Sequence, residues 1–133
     1  MKIVVDTNVV ISGVFFGGYP RKIVEAIVAG DIDAFATTDI ISEYMEIINS
    51  MIKRKQGKLN QNILSPLFSS LTIIQSESKI DISRDHDDNM FIECAVDARA
   101  LYIVSGDNDL LDIREYNEVQ IITARDFCEQ YLK

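Results

Sequence analysis

Carboxylates recur along this chain where strands should end and helices should begin. Asp6 follows the apolar run Ile3-Val4-Val5, and Asp107 and Asp109 follow a second apolar run at residues 101–104. Asp88 opens a helical pattern, with Asp85 and Asp87 just before it. In an open parallel sheet the carboxyl ends of the strands form the ligand crevice. If the strands before Asp6 and Asp107 are neighbours, these acids converge, and the simplest use of so many is one oxygen-lined metal site. Each acid also has a structural reading. Asp88 can be a cap or a dipole partner, and residues 107–109 can form a plain turn. Asp6 is harder to dismiss, because an unpaired carboxylate at the end of a buried strand is costly.

Helical geometry at about 100° per residue separates further acids. In the pattern starting at Asp39, the residues Ile40, Ile41, Tyr44, Met45, Ile47, Ile48, Met51 and Ile52 make one broad apolar stripe. Glu43 falls on its border and Glu46 roughly opposite. In the pattern from Asp88, Met90, Phe91, Cys94, Ala95 and Ala98 face inward and Asp88 lies at the edge of that face. Glu93 and Asp97 fall on the outer face, where solvation is their expected state.

The elements that must position these acids alternate between strands and helices. That order predicts an α/β fold with a mostly parallel sheet. Strands are expected at 3–5, 34–36, 71–74, 101–104 and 119–122. Residues 15–20, with Gly17-Gly18, read as a loop, and 21–29 as a helix stopped by Gly30. Thr38 is the expected N-cap of a long helix to about Lys55. A helix within 61–69 should be interrupted or restarted by Pro66. Residues 76–87 read as a polar loop. Thr123-x-x-Asp126 resembles a capping box for a last helix to Tyr131.

Composition narrows the classes. A chain of 133 residues, 47% hydrophobic and 26% charged, fits one soluble domain spanning residues 1–133. No apolar run approaches the roughly 20 residues of a membrane span. The acid at position 6 argues against a secretory signal, so a cytoplasmic location is expected. Two cysteines without a CxxC exclude a zinc ribbon or disulfide scaffold, and Cys94 and Cys128 read as core residues. One histidine, His86, makes a His-ligated zinc site a poor fit. There is no GxSxG, Walker P-loop or GxGxxG. The net charge is −8, but residues 51–80 carry +4. Lys53, Arg54, Lys55 and Lys58 lie close together there. They read either as a solvated helix end favoured by the helix dipole or as a contact for phosphate.

Taken in order, Asp6-Thr7-Asn8, Glu43 within Ser-Glu-Tyr-Met-Glu-Ile-Ile, the segment from Asp88 to Ala95, and Ser105-Gly106-Asp107-Asn108-Asp109-Leu110 resemble the PIN-domain nucleases. The likeness is greatest to the VapC-like toxin components of toxin–antitoxin systems, and it spans essentially the whole chain. The resemblance implies a three-layer α/β/α sandwich with a central, mostly parallel sheet of about five strands. It also implies Mg²⁺- or Mn²⁺-dependent RNA cleavage, usually by a homodimer and often restrained by an antitoxin. Asp6, Glu43, Asp88 and Asp107 match the acidic quartet, Asp109 an additional acid, and Asn8 a nearby polar residue. His86 departs from the proline often found there, and Asp85 and Asp87 are added acids without an assigned role.

The chemistry of Mg²⁺, which takes few carboxylates and keeps several waters, agrees with this set. Asp6 and Asp88 are then expected as direct ligands, with Asp107 and Asp109 completing the set. Glu43 would hold water or a second ion, and Thr7 and Asn8 would orient the carboxylates. Two rival readings remain. In a haloacid-dehalogenase-like phosphatase, Asp6 would be the nucleophile and Asp107 with Asp109 or Asp112 the magnesium acids, but position 8 is Asn where that family wants Asp. A non-catalytic interaction module of the same fold would be free to lose the acids that this chain keeps.

Overall fold

A computed structural model describes residues 1–56 and 58–132. The chain opens with strand β1 (Lys2–Val5), helix α1 (Thr7–Phe15), helix α2 (Gly18–Ala29) and strand β2 (Asp33–Ala36). Helix α3 (Thr38–Arg54), helix α4 (Leu64–Ser70) and strand β3 (Thr72–Ile73) follow. A 3₁₀ turn (His86–Asp88) then leads into helix α5 (Asn89–Ala98) and strand β4 (Tyr102–Val104). Helix α6 (Asn108–Leu111), strands β5 (Glu115–Tyr116) and β6 (Val119–Ile122), and helix α7 (Ala124–Tyr131) complete it.

The sheet order is β3-β2-β1-β4-β6-β5. All neighbours are parallel except the β5–β6 hairpin. Connections from β1 to β2 to β3 run one way along the sheet, and the return from β3 to β4 runs the other. Right-handed crossovers therefore put α5 on the face opposite α1 to α4, giving the three layers expected. The reversal falls between β1 and β4, which pair with Val5 opposite Val104. Adjacency of these two strands is the condition the acids require.

Burial explains why β1 sits centrally. Ile3, Val4 and Val5 are all within 2% of complete burial, and each such side chain adds about 1.5–3 kcal/mol of apolar stabilisation. Tyr44, also buried, donates its hydroxyl hydrogen to the Val5 carbonyl and so ties α3 to the end of β1.

Several boundaries differ from the sequence reading. The sheet has six strands, because β5 joins β6 through Asn117 and Glu118, both in the left-handed region (φ 47° and 70°). Such a pair matches a type I′ hairpin, whose usual signal is Asn-Gly, and Glu at the second position hides it. The 15–20 loop is shorter than read, since α2 begins at Gly18 and carries Pro20 in its first turn, where a missing N–H is harmless. Pro66 is accommodated the same way at the start of α4, rather than interrupting a helix. The N-cap of α3 is Thr37, whose hydroxyl accepts from Ile40 N at 3.3 Å, not Thr38.

The contact of α1 with α2 depends on Gly13. A Cβ there would lie 2.7 Å from the Pro20 carbonyl oxygen and 2.5 Å from Val24 Cγ2. Backbone cannot yield as a side chain can, so Gly13→Ala is expected to lower stability by about 1–3 kcal/mol in chemical denaturation.

Candidate active site

Asp6 ends β1 and is the N-cap of α1. Its Oδ1 accepts from Thr7 N at 2.8 Å and its Oδ2 from Ser105 Oγ at 2.8 Å. Ser105 is fully buried at the end of β4, and its Oγ also accepts from Asp107 N at 2.9 Å. One hydroxyl thus joins the ends of the two central strands. Burial pushes the Asp6 carboxyl above the usual carboxylate range. Its hydrogen bonds from Ser105 and Thr7 oppose this, and the charges of Asp107 and Glu43 add to the rise. Ser105 has no site role in the sequence reading, and the only signal for it was its place directly after a buried strand.

Asp88 closes the 3₁₀ turn and is 6% exposed. Its Oδ2 is buried and accepts no hydrogen bond. Carboxylate oxygens of Asp85, Asp88, Asp107 and Asp109 all lie within 4.8 Å of one another. The Asp88 carboxyl is pushed up to about 8, first by burial and then by Asp107, as hydrogen-bond partner to the protonated form and as a like charge; Asp6 and Asp85 add further repulsion. A buried oxygen without a donor, ringed by like charges, is a poor structural cap and a good fit to a hard cation. Asp107 caps α6, accepting from Asp109 N at 2.9 Å, which turns Asp109 into the cluster.

Glu43 is half-buried on α3 and accepts a hydrogen bond from Thr7 Oγ1. Glu46, one turn on, is exposed. Thr7 therefore links Asp6, through its backbone N–H, to Glu43, through its hydroxyl. Asn8 is exposed and lines a groove of about 240 Å³ with Ser12, Pro20, Ser105 and Gly106, beside the end of β4. Asp6, Glu43, Asp88, Asp107 and Asp109 are thus gathered at the carboxyl ends of β1 and β4, together with Asp85. Lys53, Arg54, Lys55 and Lys58 are exposed at the far end of α3, with Lys53 roughly 15 Å along the helix axis from Glu43. Cys94 and Cys128 are buried, and burial raises both thiols, Cys94 to about 12, as for inert core residues.

The outer face of α5 is not merely solvated. Asn89, Glu93 and Asp97 stand at i, i+4 and i+8 and bind the irregular segment before the 3₁₀ turn. Asn89 Oδ1 accepts from Ile82 N and Ser83 N at 3.2 and 2.9 Å, and Glu93 from Ile80 N at 2.9 Å. Asp97 accepts from Glu77 N, Ser78 N and both serine hydroxyls at 76 and 78. These hydrogen bonds lower the Asp97 carboxyl to about 2. Periodicity put Glu93 and Asp97 on the outer face but carried no sign of a strap of backbone donors laid across them, nor of the part that buried Asn89 plays in holding it. The strap sets Arg84 and Asp85 beside the acids.

A carboxylate with a lowered folded value stabilises the strap above its unfolded value near 4 and loses that effect as pH falls toward 2. Asp97→Asn is expected to remove this acid-side dependence. It should also speed proteolysis between residues 75 and 83 at neutral pH, read by mass spectrometry of limited digests.

Residues 2–109 match the family model for the PIN domain. An uncharacterized protein of Methanocaldococcus jannaschii, MJ1680, is 30% identical over 145 residues, covering 100% of this chain and 93% of that one. Among solved structures, the fold is similar to a chain in the crystal structure of VapBC2 from Rickettsia felis bound to a DNA fragment from their promoter. That match has a TM-score of 0.62 at 14% identity and covers 92% of this chain and 98% of that one. The last strand and helix, beyond the matched residues, complete the same sheet and core through Val119 and Phe127. Family match, strand order and the acids at the β1–β4 junction agree with one another, and the chain belongs to the PIN domain family.

Proposed function

We propose that this protein is a divalent-metal-dependent endoribonuclease, formed by residues 1–133 as one unit and acting as the toxin of a toxin–antitoxin pair. The observation that carries the reading is the buried, donorless Oδ2 of Asp88 among four close carboxylates. Asp88, Asp107 and Asp109 would hold Mg²⁺ or Mn²⁺, with Asp85 available as a further ligand. Asp6 keeps lone pairs free for the ion although both its oxygens already accept a hydrogen bond. Such a cation supplies Lewis-acid stabilisation to phosphodiester oxygens and acidifies water. Ser105 and Thr7 fix the Asp6 carboxylate, and Thr7 also fixes Glu43, which orients water or takes its proton.

RNA is the substrate class in this reading. The VapBC2 likeness supports an antitoxin as assembly partner. A second copy of the chain as a further partner, and work in the cytoplasm, belong to the same proposal. No helix among the described residues is long and apolar enough to cross a membrane. The phosphatase alternative fits less well: as a nucleophile Asp6 is only 4% exposed with both oxygens engaged, and position 8 is Asn where a second acid would be needed.

The direct test is cleavage of RNA in Mg²⁺, Mn²⁺ or EDTA by the wild type and by Asp88→Asn. Cleavage that survives EDTA, or that Asp88→Asn retains in full, would sink the proposal. Release of phosphate from small phosphomonoesters would favour the phosphatase instead. The basic segment gives a second expected result. Replacing Lys53, Arg54, Lys55 and Lys58 together by Gln should weaken RNA binding and flatten its dependence on salt. An unchanged salt slope would leave those residues as a solvated helix end.

A further inference from the structure

Arg84 is the one cation among the described residues that is ion-paired to an acid of the cluster. Its Nη2 lies 3.0 Å from Asp109 Oδ1 and also contacts Asp112, which lies outside the four-acid set. The side chain is 66% exposed, so its remaining N–H donors face solvent. Its place is built rather than accidental. The strap that carries it is held at three successive turns of α5 by Asn89, Glu93 and Asp97, and Asp85, the next residue, is itself a member of the cluster.

A protein of net charge −8 needs local positive charge wherever a polyanion is to come close to carboxylates. We propose that Arg84 binds a backbone phosphate of the RNA at the rim of the acidic cluster. This inference rests on the nuclease reading and deepens it. Without a cation in the cluster, Asp109 and Asp112 hold the guanidinium. A divalent ion held by Asp109 weakens that pair; Asp112 keeps its hold on Nη2, and the guanidinium's remaining N–H donors turn to phosphate oxygens. The same acid thus serves ion and arginine in turn, so RNA is gripped best where the ion is present. Arg84 is a binding residue in this scheme and takes no part in proton transfer.

The test uses the full chain with a mixed-sequence single-stranded RNA oligonucleotide in Mn²⁺, comparing wild type, Arg84→Lys and Arg84→Gln. KM should rise roughly tenfold or more in Arg84→Gln, as for loss of a charged hydrogen bond, with kcat within about threefold. Equilibrium binding should show the slope of log affinity against log salt reduced by about 0.7, one single-strand phosphate contact. Arg84→Lys should keep the salt slope and recover part of the KM. Melting curves in Mn²⁺ establish that each variant is folded. An unchanged KM and salt slope in Arg84→Gln would overturn the inference while leaving the nuclease reading intact. Faster cleavage by Arg84→Gln would overturn it too, since Arg84 would then be obstructing the site. A wild type that neither binds nor cleaves RNA in Mn²⁺ would remove the nuclease reading and this inference with it.

Discussion

Glu43→Gln is expected to slow RNA cleavage in Mn²⁺ by roughly 100-fold or more, the scale of losing one electrostatic contact in a transition state. Glu46→Gln, three residues along the same helix, should leave both rate and stability within about 0.5 kcal/mol of wild type. The contrast comes from placement. Glu43 is half-buried, takes the Thr7 hydroxyl hydrogen and lies close enough to Asp6 to raise that carboxyl, whereas Glu46 is exposed. A glutamine can still accept from Thr7, so the fold should persist, but it carries no charge and takes no proton. Matched purified variants assayed for cleavage and melting temperature decide the point. Equal rates in the two variants, or a larger loss at Glu46, would show that the reaction centre lies elsewhere.

The second large effect is thermodynamic. In metal-free protein, stability should fall as pH rises from about 4 to about 8, then level off. The sign follows from linkage. Asp88 titrates near 8 in the folded chain and near 4 when unfolded. Between those values the unfolded state has released its proton and the folded state has not, so rising pH favours unfolding. Asp6, raised in the same direction, adds to the slope. Asp88→Asn should flatten the dependence and raise the melting temperature at pH 8 in EDTA, while losing cleavage.

Millimolar Mn²⁺ should restore wild-type stability at pH 8. An ion bound only by the folded state at 100 times its dissociation constant adds about 2.7 kcal/mol. The checks are melting temperature against pH with EDTA or Mn²⁺, and calorimetric titration of the metal. A metal-free melting temperature that climbs from pH 5 to 8, or one that Mn²⁺ leaves unchanged at pH 8, would contradict the cluster's role.

Much of the fold was legible in local patterns because the local physics is strong. The β-branched run 3–5 reads as a strand buried on both faces, and it is one. The apolar stripe of α3 placed Glu43 at its edge and Glu46 in water, and both positions hold. The motifs in order carried the family and its α/β sheet. What the chain alone could not specify was partnership across distance. Adjacency of β1 and β4 is a matter of strand order, and only that adjacency lets Ser105 reach Asp6 across 99 residues. The face of α5 that carries Glu93 and Asp97 reads as solvated because helical periodicity reports what faces the core and is silent about a strap of backbone donors. The same limit left Asp85 without a role and hid Arg84: their types are ordinary for a polar loop, and their position beside Asp88, Asp107 and Asp109 exists only once α5 has anchored that loop. Residue type and period determined which side chains could do chemistry; tertiary hydrogen bonds and strand order decided which of them meet.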